Sequence, residues 1–332
     1  MTLPDRAGAV RVGVLGCASI AWRRALPAFE AHPLTTVVAI ASRAPDKARR
    51  FADRFGGEPV GYSEVLERAD VDAVYVALPA GLHYRWTAAA LDAGKHVLAE
   101  KPLTTGPGGT MRLASLAANR MLLLRENVMF LHHGQHRRVR DLVRSGRLGE
   151  IREFDSAFCI PALPRTDIRY SPELGGGALN DLAIYPLRAA QLFLGTDVDV
   201  VGACLRRDRD TDVDVSGTAL LVSAGGVPAT VRFGIEHAYG SWYALWGDRA
   251  RLRLDRAFTP PPSRRPVVEI TGQDGDERVE LPAEDQFVQA VGAFAEDVLA
   301  GRTGLDDEAT IRTAELVETI RRIADCRSAS AG

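Results

Sequence analysis

The first third of the chain alternates between short β-branched runs and segments whose apolar residues have helical spacing. Strand-like runs occupy residues 10–15, 34–41, 73–78, 96–99 and 121–124. Helical patterns fill the intervals, from after Ala21 to about His32 and at residues 45–55, 63–68, 83–93 and 107–119. Strands that alternate with helices predict right-handed βαβ crossovers and a parallel, doubly wound sheet.

The pattern changes after about residue 127. Strand-like segments span residues 150–160, 198–205, 215–223, 227–235, 242–246, 250–254 and 266–271. Helical patterns occur at residues 135–145, 178–194, 284–300 and 307–325. Strands that follow one another without helices between them predict a mostly antiparallel sheet. The fold class is therefore α/β, with a Rossmann-type domain over residues 1–127 and a second α/β domain with a large sheet over residues 128–332.

Composition narrows the classes of partner and the compartment. The net charge of −2 leaves no field that would attract nucleic acid or an anionic membrane. No apolar run is long enough to span a bilayer, and the N-terminus lacks a signal-peptide pattern. The four cysteines form no C-x-x-C pair, which indicates neither a zinc knuckle nor a disulfide framework. We therefore expect a cytoplasmic protein with reduced thiols.

A small-residue turn follows the first strand and suits a dinucleotide. Its residues are Gly16-Cys17-Ala18-Ser19-Ile20-Ala21. They stand in the place of G-x-G-x-x-G, with only the first glycine present, and such a turn lets a diphosphate approach the backbone at a helix N-terminus. The alanine in place of the second glycine is a departure, because that position faces the pyrophosphate. For these six residues alone, a tight turn that binds nothing is the alternative.

The end of the second strand indicates which dinucleotide would bind. NAD-preferring Rossmann enzymes place Asp or Glu there, to accept hydrogen bonds from the ribose 2′-hydroxyl. This chain has Ser42 and Arg43, with Lys47 one helical turn further on. Serine and arginine can hold a 2′-phosphate through charge-assisted hydrogen bonds. We therefore expect NADP(H) as the cofactor, the alternative being a solvated Arg43 at a helix N-terminus.

Lys101 follows the 96–99 strand at its carboxyl end. Ligands of doubly wound sheets bind outside those ends, and an ammonium can donate to a carbonyl oxygen that gains negative charge during hydride attack. We expect Glu100 and Pro102 to restrict the backbone beside it. We also expect a cis Lys101–Pro102 bond, which would turn the lysine toward the nicotinamide, since X–Pro bonds alone tolerate cis at low cost. A surface lysine is the alternative.

At this point the sequence resembles the glucose–fructose oxidoreductase / inositol dehydrogenase (Gfo/Idh/MocA) family over about residues 10–325. Glu100-Lys101-Pro102 matches the family's E-K-P motif. The segment 78–83, LPAGLH, looks like the family's segment after the third strand, and 175–181, GGGALND, resembles its glycine-rich entry to the active-site helix. The resemblance implies a Rossmann domain followed by an α/β domain whose open-faced sheet commonly mediates oligomerisation. We therefore expect a homo-oligomer, a dimer or a tetramer, that assembles through the C-terminal sheet.

The resemblance also implies roles for individual residues. Tyr185, where relatives often have His, is expected to be the general acid in reduction or the base in oxidation. Lys101 is expected to orient and polarise the carbonyl. Asp181 is expected to position the substrate or Lys101, because positions i and i+4 share one helix face. Cofactor contacts are expected at Trp22, Arg23, Leu78, Pro79, His83, Glu100 and Lys101.

Three stretches resemble the actinomycete sugar-nucleotide 3-ketoreductases of deoxysugar biosynthesis, which reduce the 3-keto group of a dTDP-linked hexose. They are residues 13–21, residues 245–249 and Arg169-Tyr170. We therefore expect NADPH-dependent reduction of the C3 ketone of a dTDP-linked 3,4-diketo-2,6-dideoxyhexose in antibiotic biosynthesis. The substrate is then a nucleotide-linked sugar, and Arg169 joins Asp181 as an expected contact.

Two further patterns have a structural and a functional interpretation. His132, His133 and His136 lack a helix-spaced carboxylate, so we interpret them as a polar helix start and expect no metal. Aromatic residues recur along one strand-like run, at Tyr239, Trp242, Tyr243 and Trp246. Packing in the core or at an oligomer face is the default for that run, with Tyr243 also considered as a substrate contact.

Two other functions stay open. The first is an NADP-dependent sugar, inositol or dihydrodiol dehydrogenase of the same family, which a substrate screen in both cofactor redox states would separate. The second is a non-catalytic regulator that senses the dinucleotide, and such a protein is expected to lack the lysine or the acid. Lys101 and Tyr185 are both present, which favours an enzyme.

Overall fold

A computed structural model describes residues 8–273 and 275–330. The chain divides into two compact units, each built from two segments. The first unit comprises Met1–Met129 and Gln286–Thr310, and the second comprises Phe130–Asp285 and Ile311–Gly332. These units differ from the division at residue 127 in that one late segment belongs with the first unit. The assignment of cofactor and substrate binding to separate domains stays a prediction.

The strands of the described residues are, in chain order, β1 (Val10–Leu15), β2 (Thr35–Ala41), β3 (Glu58–Val60), β4 (Ala73–Val76), β5 (His96–Glu100), β6 (Leu123–Asn127), β7 (Ile151–Ile160), β8 (Val198–Arg207), β9 (Asp214–Ser223), β10 (Pro228–Ile235), β11 (Gly240–Gly247), β12 (Ala250–Asp255), β13 (Val267–Gly272), β14 (Gly275–Glu280) and β15 (Gly304–Leu305).

The α-helices are α1 (Leu26–Ala31), α2 (Pro45–Phe55), α3 (Tyr62–Glu67), α4 (Ala80–Asp92), α5 (Pro107–Arg120), α6 (Gly134–Arg144), α7 (Ala178–Asp181), α8 (Ile184–Leu194), α9 (Gln286–Leu299) and α10 (Ala309–Ser330). A π-helical segment, Ala21–Ala25, leads into α1. Short 3₁₀ turns span Met129–His132, Ile168–Tyr170 and Pro172–Leu174. No helix of the described residues is long and apolar enough to cross a membrane.

The first unit contains a seven-stranded sheet in the order β15-β6-β5-β4-β1-β2-β3, and every pair in it is parallel. The central strands β1, β4 and β5 are buried at almost every position. Strands covered by helices on both faces need apolar side chains on both faces, which explains their continuous apolar runs. The predicted doubly wound sheet is confirmed.

Buried ion pairs join the late segment to the first unit. The Arg125 guanidinium on β6 donates to Asp306 at 2.7 Å and also pairs with Asp297 of α9. These carboxylates lie 181 and 172 residues away in sequence. Helix α9 packs against α1 and strands β1, β2 and β6. A buried arginine needs such partners, so the segment that supplies them is part of this unit.

The second unit contains an eight-stranded sheet in the order β14-β13-β12-β11-β7-β10-β9-β8. All of its pairs are antiparallel except β7 with β10, which is parallel. Helix α8 packs against β7 and β10. Burial alternates along β9 and β10, as expected when one face of a sheet is covered and the other is open. The predicted mostly antiparallel sheet is confirmed.

The helix predicted over 178–194 is instead two helices, α7 and α8, with Leu182 and Ala183 between them. The physical reason is Pro186, which has no N–H to donate to the carbonyl of Leu182. That carbonyl accepts a hydrogen bond from the Tyr185 N–H at 3.2 Å. Leu182 and Ala183 keep right-handed backbone angles, so the helical path continues while its hydrogen-bond ladder is interrupted. The expectation that Asp181 and Tyr185 share one continuous helix is therefore wrong.

Candidate active site

In the first unit, the turn after β1 depends on glycine. Gly16 has a φ of +103°, and its N–H donates to the Ala41 carbonyl oxygen at 3.0 Å. A Cβ atom at this position would lie 2.3 Å from the Ala77 carbonyl oxygen. The turn thus passes between the ends of β2 and β4 with no room for a side chain, which only glycine permits.

The rest of the turn leads directly into helix. Cys17 is buried, with its thiol 3.8 Å from the Ala41 carbonyl oxygen, and burial raises its pKa to about 11. The Ala18 carbonyl accepts the Trp22 N–H at 3.1 Å, so helical structure starts at once, at Ser19 and Ile20. Ser19 is exposed. A helix N-terminus beside a glycine turn fits a diphosphate.

Polar side chains without a carboxylate stand at the end of β2. The Ser42 hydroxyl accepts the Ala44 N–H at 3.2 Å, which shapes the entry to α2. Arg43 is exposed beside it. Because this position holds no group that would repel a 2′-phosphate, the residues present fit NADP(H) better than NAD(H).

Trp22 has a packing role. Its ring lies 4.8 Å from that of Phe51 and 5.1 Å from that of Phe55 in edge-to-face geometry. The Arg50 guanidinium lies 4.9 Å from the same ring. These contacts hold the segment after the turn against α2. Arg23 is exposed on that segment, and contacts of Trp22 and Arg23 with a cofactor stay predictions.

The backbone around Lys101 is fixed by its neighbours. The buried Glu100 carboxylate accepts hydrogen bonds from the Tyr75 hydroxyl and the Asn127 amide, each at 2.7 Å. Burial raises the pKa of Glu100, and those two hydrogen bonds act in the opposite direction. The Lys101–Pro102 bond is cis, as predicted. Lys101 itself is half-buried at the carboxyl end of β5. Glu100 therefore lies in the interior, joined to β4 and β6.

The LPAGLH segment covers the end of β4. Leu78 and Pro79 are half-buried there. His83, in the first turn of α4, is only 1% exposed. Its ring nitrogens lie 2.6 Å from the Pro102 carbonyl oxygen and 2.7 Å from the Leu78 carbonyl oxygen. His83 was predicted as a cofactor contact, but its ring is directed at backbone groups of the protein.

In the second unit, the glycine run forms a tight entry to α7. A Cβ on Gly176 would lie 2.6 Å from the Arg169 carbonyl oxygen. Gly177 has a φ of +104°, and a Cβ there would lie 2.5 Å from the Asp214 carboxylate. The run therefore lets two other segments approach the start of α7 closely.

Asp214 is a candidate site residue that no sequence motif predicted. It is the first residue of β9, and its carboxylate accepts the Leu179 N–H of α7 at 2.5 Å. Burial raises its pKa to about 6, while the hydrogen bond from Leu179 acts in the opposite direction. A carboxylate at a helix start satisfies an N–H that lacks a helical partner. The only signal in the sequence is the glycine at 177, whose Cβ this carboxylate excludes.

Arg169 and Asp181, both predicted substrate contacts, lie together. The Arg169 Nε donates to the Asp181 carboxylate at 2.5 Å, and its Nη1 donates to Asp167 at 3.1 Å. Asp181 is the largest cause of the raised pKa of Arg169. The guanidinium is therefore held by two carboxylates and fixes the end of α7.

Tyr185 lies near the start of α8 among aromatic rings and is 4% exposed. Its ring centroid is 4.7 Å from that of Phe158, 5.6 Å from that of Phe258 and 5.9 Å from that of Phe130. Close packing on several sides limits the rotamers of the phenol. Such a phenol can deliver a proton from a fixed direction.

Tyr243 and the histidine cluster have structural positions. Tyr243 is fully buried, and its hydroxyl lies 3.0 Å from His136 Nδ1, which leaves Tyr243 no surface for a substrate. His136 Nε2 lies 3.0 Å from the Ala257 carbonyl oxygen, and burial lowers the pKa of His136 to about 3. His133 Nδ1 accepts the Gln135 N–H at the start of α6. No candidate metal cluster occurs among the residues that the structure describes.

Comparison with known proteins places this arrangement in a family. Residues 10–128 match the model of an oxidoreductase family with an NAD-binding Rossmann fold, GFO_IDH_MocA, and residues 136–253 match the GFO/IDH/MocA C-terminal domain. The chain is 56% identical over 323 residues to a dTDP-3,4-didehydro-2,6-dideoxy-alpha-D-glucose 3-reductase of Actinomadura kijaniata, covering 97% of each chain. It is 53% identical over 328 residues to the reductase of that name from Saccharopolyspora spinosa, covering 96% of this chain and 98% of the relative.

A solved structure is equally similar. A 3-ketoreductase from Actinomadura kijaniata, in complex with NADP and TDP-benzene, superposes with a TM-score of 0.92 at 55% identity, covering 95% of this chain and 98% of that one. Variants of that protein with one lysine replaced by Ala or Glu, or one tyrosine by Phe, also contain NADP and TDP-benzene. On these matches over both halves of the chain, the protein belongs to the Gfo/Idh/MocA family of oxidoreductases.

Proposed function

We propose that this protein is an NADPH-dependent ketoreductase that reduces the C3 ketone of a dTDP-linked 3,4-diketo-2,6-dideoxyhexose. The substrate is supported by the high identity to two reductases of that name over nearly the whole of each chain. The observation that carries the reaction type is Lys101, which extends from an anchored loop at the carboxyl end of β5. An ammonium held there suits a carbonyl oxygen that becomes negative.

The cofactor would be held by groups of the first unit. The turn from Gly16 to Ile20 would hold the diphosphate, and Ser42 and Arg43 would hold the 2′-phosphate. The lack of a carboxylate at the end of β2 supports NADP, as does the NADP in the solved relative. When bound, NADPH supplies the hydride.

The residues of this chain supply the rest of the chemistry. Lys101 donates a hydrogen bond to the ketone oxygen and stabilises the negative charge that develops on it. Tyr185 gives its phenolic proton to the same oxygen, which completes the alcohol. Solvent then returns a proton to the phenolate, so the enzyme is unchanged after one turnover. Asp181, held by Arg169, contacts the sugar and orients its ketone.

The variants of the solved relative bear on these two roles. We infer that the substituted lysine and tyrosine correspond to Lys101 and Tyr185. Those variants still contain both NADP and TDP-benzene. Substitutions here are therefore expected to slow the chemical step more than they weaken binding.

The open face of the eight-stranded sheet supports a homo-oligomer. Apolar side chains stand exposed on three of its strands, with exposed fractions of 54% at Val201, 45% at Leu220 and 42% at Trp246. Exposed apolar side chains are stabilised when another surface covers them, and we propose that a second copy packs there. A cytoplasmic location follows for an enzyme that uses NADPH and nucleotide sugars.

A direct assay tests the proposal. The purified protein is mixed with the dTDP-linked diketo sugar and either NADPH or NADH. We expect NADPH consumption to match a product that has gained two hydrogens by mass spectrometry. Oxidation of a free sugar or of inositol with NADP⁺, and no reduction of the diketo sugar, would identify the dehydrogenase alternative. NADP binding without turnover of any of these compounds would favour the sensing regulator.

A further inference from the structure

His83 is a buried histidine of the first unit that the proposed chemistry does not use. It stands near the start of α4, and its ring lies between two backbone carbonyl groups. At 1% exposure, the ring has almost no surface to offer a cofactor. Its role must therefore come from the protein groups that it contacts.

Each contact is a hydrogen bond only where the ring nitrogen carries hydrogen. Nδ1 lies 2.6 Å from the Pro102 carbonyl oxygen and Nε2 lies 2.7 Å from the Leu78 carbonyl oxygen. Carbonyl oxygens only accept, so a neutral imidazole can donate to one of them and an imidazolium to both. Burial lowers the pKa of His83, and the two carbonyls act in the opposite direction. In either protonation state the ring fills the space between the two carbonyls.

The two carbonyls belong to two parts of the first unit on which the proposed reaction depends, the loop that carries Lys101 and the segment beside the glycine turn. Pro102 follows Lys101 directly. Leu78 ends the segment that lies against the glycine turn, since a Cβ on Gly16 would come within 2.8 Å of the Leu78 side chain. His83 thus connects the loop that carries the lysine to the strand end that supports the turn.

We propose that His83 is a positioning residue that acts through Lys101. It fixes the Pro102 carbonyl relative to the end of β4, and so fixes the backbone from which the lysine extends. The proposal rests on the proposed role of Lys101 in the reaction.

The loop has other anchors, so the effect of losing His83 should be partial. Glu100 is held by Tyr75 and Asn127. The Leu103 N–H donates to the Glu126 carboxylate at 2.8 Å. Without His83 the loop would keep these contacts and lose the one at Pro102. A displacement of the lysine by a fraction of its length is then expected, with the fold intact.

The kinetic test compares His83→Phe with His83→Gln. Phenylalanine keeps an aromatic ring without donors, and we expect kcat to fall ~10- to 100-fold because small misplacements of a catalytic group are costly. The KM for NADPH should change less than about threefold. Glutamine keeps N–H donors and should restore kcat to within about threefold of the native value. Should His83→Phe not fold, His83→Asn, whose shorter side chain cannot span both carbonyls, carries the same expectation.

A double-mutant cycle separates positioning from a general structural role. In the Lys101→Ala background, His83→Phe should lower kcat by less than about twofold, because the group through which it acts is gone. An equal loss of kcat in both backgrounds would overturn the proposal. So would a large rise in the Kd for NADPH with unchanged kcat, which would make His83 a cofactor contact.

A second measurement does not depend on turnover. The chain has only three lysines, Lys47, Lys95 and Lys101, so ¹³C-methylated lysine signals can be assigned with single Lys→Arg variants. His83→Phe should move the Lys101 signal and leave the other two in place. If Lys101 moves and no diketo sugar is reduced, the proposed function fails while the positioning role of His83 stands. An unmoved Lys101 signal would refute the positioning role whatever the activity.

Discussion

The turn after β1 in the first unit is proposed to bind the cofactor (the cofactor region), and the start of α7 in the second unit is proposed to bind the substrate (the substrate region). Each contains a required glycine, and the two glycines are required for different reasons. A side chain on Gly16 would collide with the Ala77 carbonyl, a backbone group at the end of a neighbouring strand. A side chain on Gly177 would collide with the carboxylate of Asp214. The first glycine is thus imposed by the geometry of a parallel sheet, and the second by one particular side chain.

The same contrast holds for the groups that surround each glycine. The cofactor region uses strand ends: Ser42 and Arg43 are the first two residues after β2, and Lys101 follows β5 directly. The substrate region uses side chains from separate segments, such as Arg169 on Asp181 and Asp214 on the N–H of Leu179. A region built on backbone should tolerate changes in side chains that only line it. In a region built on side-chain pairs, a substitution that removes one of those contacts should change its function.

The largest effect is expected from Tyr185→Phe, which tests whether the substrate region supplies the proton. The ring and its packing against Phe158 and Phe258 are kept, and only the phenolic proton is lost. We expect kcat to fall ~10²- to 10⁴-fold with little change in KM. Residual activity that rises at low pH would still fit, because solvent can partly replace the phenol. Steady-state rates and the solvent isotope effect on kcat are the measurements.

One outcome would remove Tyr185 from the mechanism. This is turnover close to the native rate across the pH range, under conditions where chemistry is shown to be rate-limiting. The proton would then have to come from Lys101 or from a water bound to it. Stabilisation of the oxyanion and delivery of the proton would then both come from the first unit. The proposal that each region supplies one of them would be wrong.

Lys101→Ala tests the chemistry of the cofactor region. Loss of the ammonium removes stabilisation of the developing oxyanion, so kcat should fall ~10²- to 10³-fold. The backbone turn at Gly16 and the residues after β2 are untouched, so NADPH should still bind. Titration of NADPH fluorescence checks the second point. A loss of NADPH affinity as large as the loss of kcat would show that the lysine serves cofactor binding instead.

Elements that are fixed by local sequence were predicted well, and the reason is physical. The runs at β1, β2, β4 and β5 are apolar because helices cover both faces of the sheet. Ser42, Arg43 and Lys101 could be proposed as site residues because the carboxyl ends of parallel strands meet at one edge. The missed strands β3, β14 and β15 are short or exposed, so burial leaves no pattern in their sequence.

Features fixed by distant contacts were not predictable from one sequence. Asp214 lies 35 residues from the N–H that it accepts, and no local motif marks it. Arg125 reaches carboxylates more than 170 residues away, which is why Gln286–Thr310 joins the first unit. The break at Leu182 is different, because Pro186 is a visible signal that the helix prediction did not use.

Arg43→Ala tests whether a side chain binds the 2′-phosphate in the cofactor region, where the other contacts are expected from backbone groups. A charge-assisted contact of ~1.5–3 kcal/mol corresponds to roughly a 10- to 150-fold loss of affinity for NADPH. Affinity for NADH should hardly change. Arg49→Ala, an exposed arginine of α2, is the matched control and should leave both affinities alone. Equal losses for NADPH and NADH at Arg43 would mean that this residue does not distinguish the cofactors.

The smallest effect on turnover is expected from Asp214→Asn. The Asn Oδ1 can still accept the Leu179 N–H, so kcat should change less than about threefold. Stability should respond differently. Burial raises the pKa of Asp214 from 3.8 to about 6 in the folded protein, with Leu179 and Arg321 acting in the opposite direction. The folded state thus holds this proton more tightly than the unfolded state does.

The sign of the pH dependence follows from that difference. The stabilising contribution of the proton is complete below pH 3.8, the unfolded pKa, and is lost as pH rises through about 6. The loss amounts to at most about 3 kcal/mol in the free energy of unfolding. The Asn side chain carries no charge at any pH, so the variant should not show this loss of stability. Denaturant titrations of both proteins at pH 5 and pH 7.5 should show the variant gaining stability relative to the native chain as pH rises.

Asp276→Asn on exposed β14 provides the control, because other titrations cancel when each variant is compared with the native protein. That control should show no such gain with rising pH. A stability difference between Asp214→Asn and the native chain that stays constant between the two pH values would contradict the buried, protonated carboxyl. Asp214 would then act as an ordinary charged cap of α7, favoured by the nearby positive charges of Arg321 and Arg207. The substrate region would in that case depend on attraction between separated charges, and its sensitivity to salt should exceed that of the cofactor region.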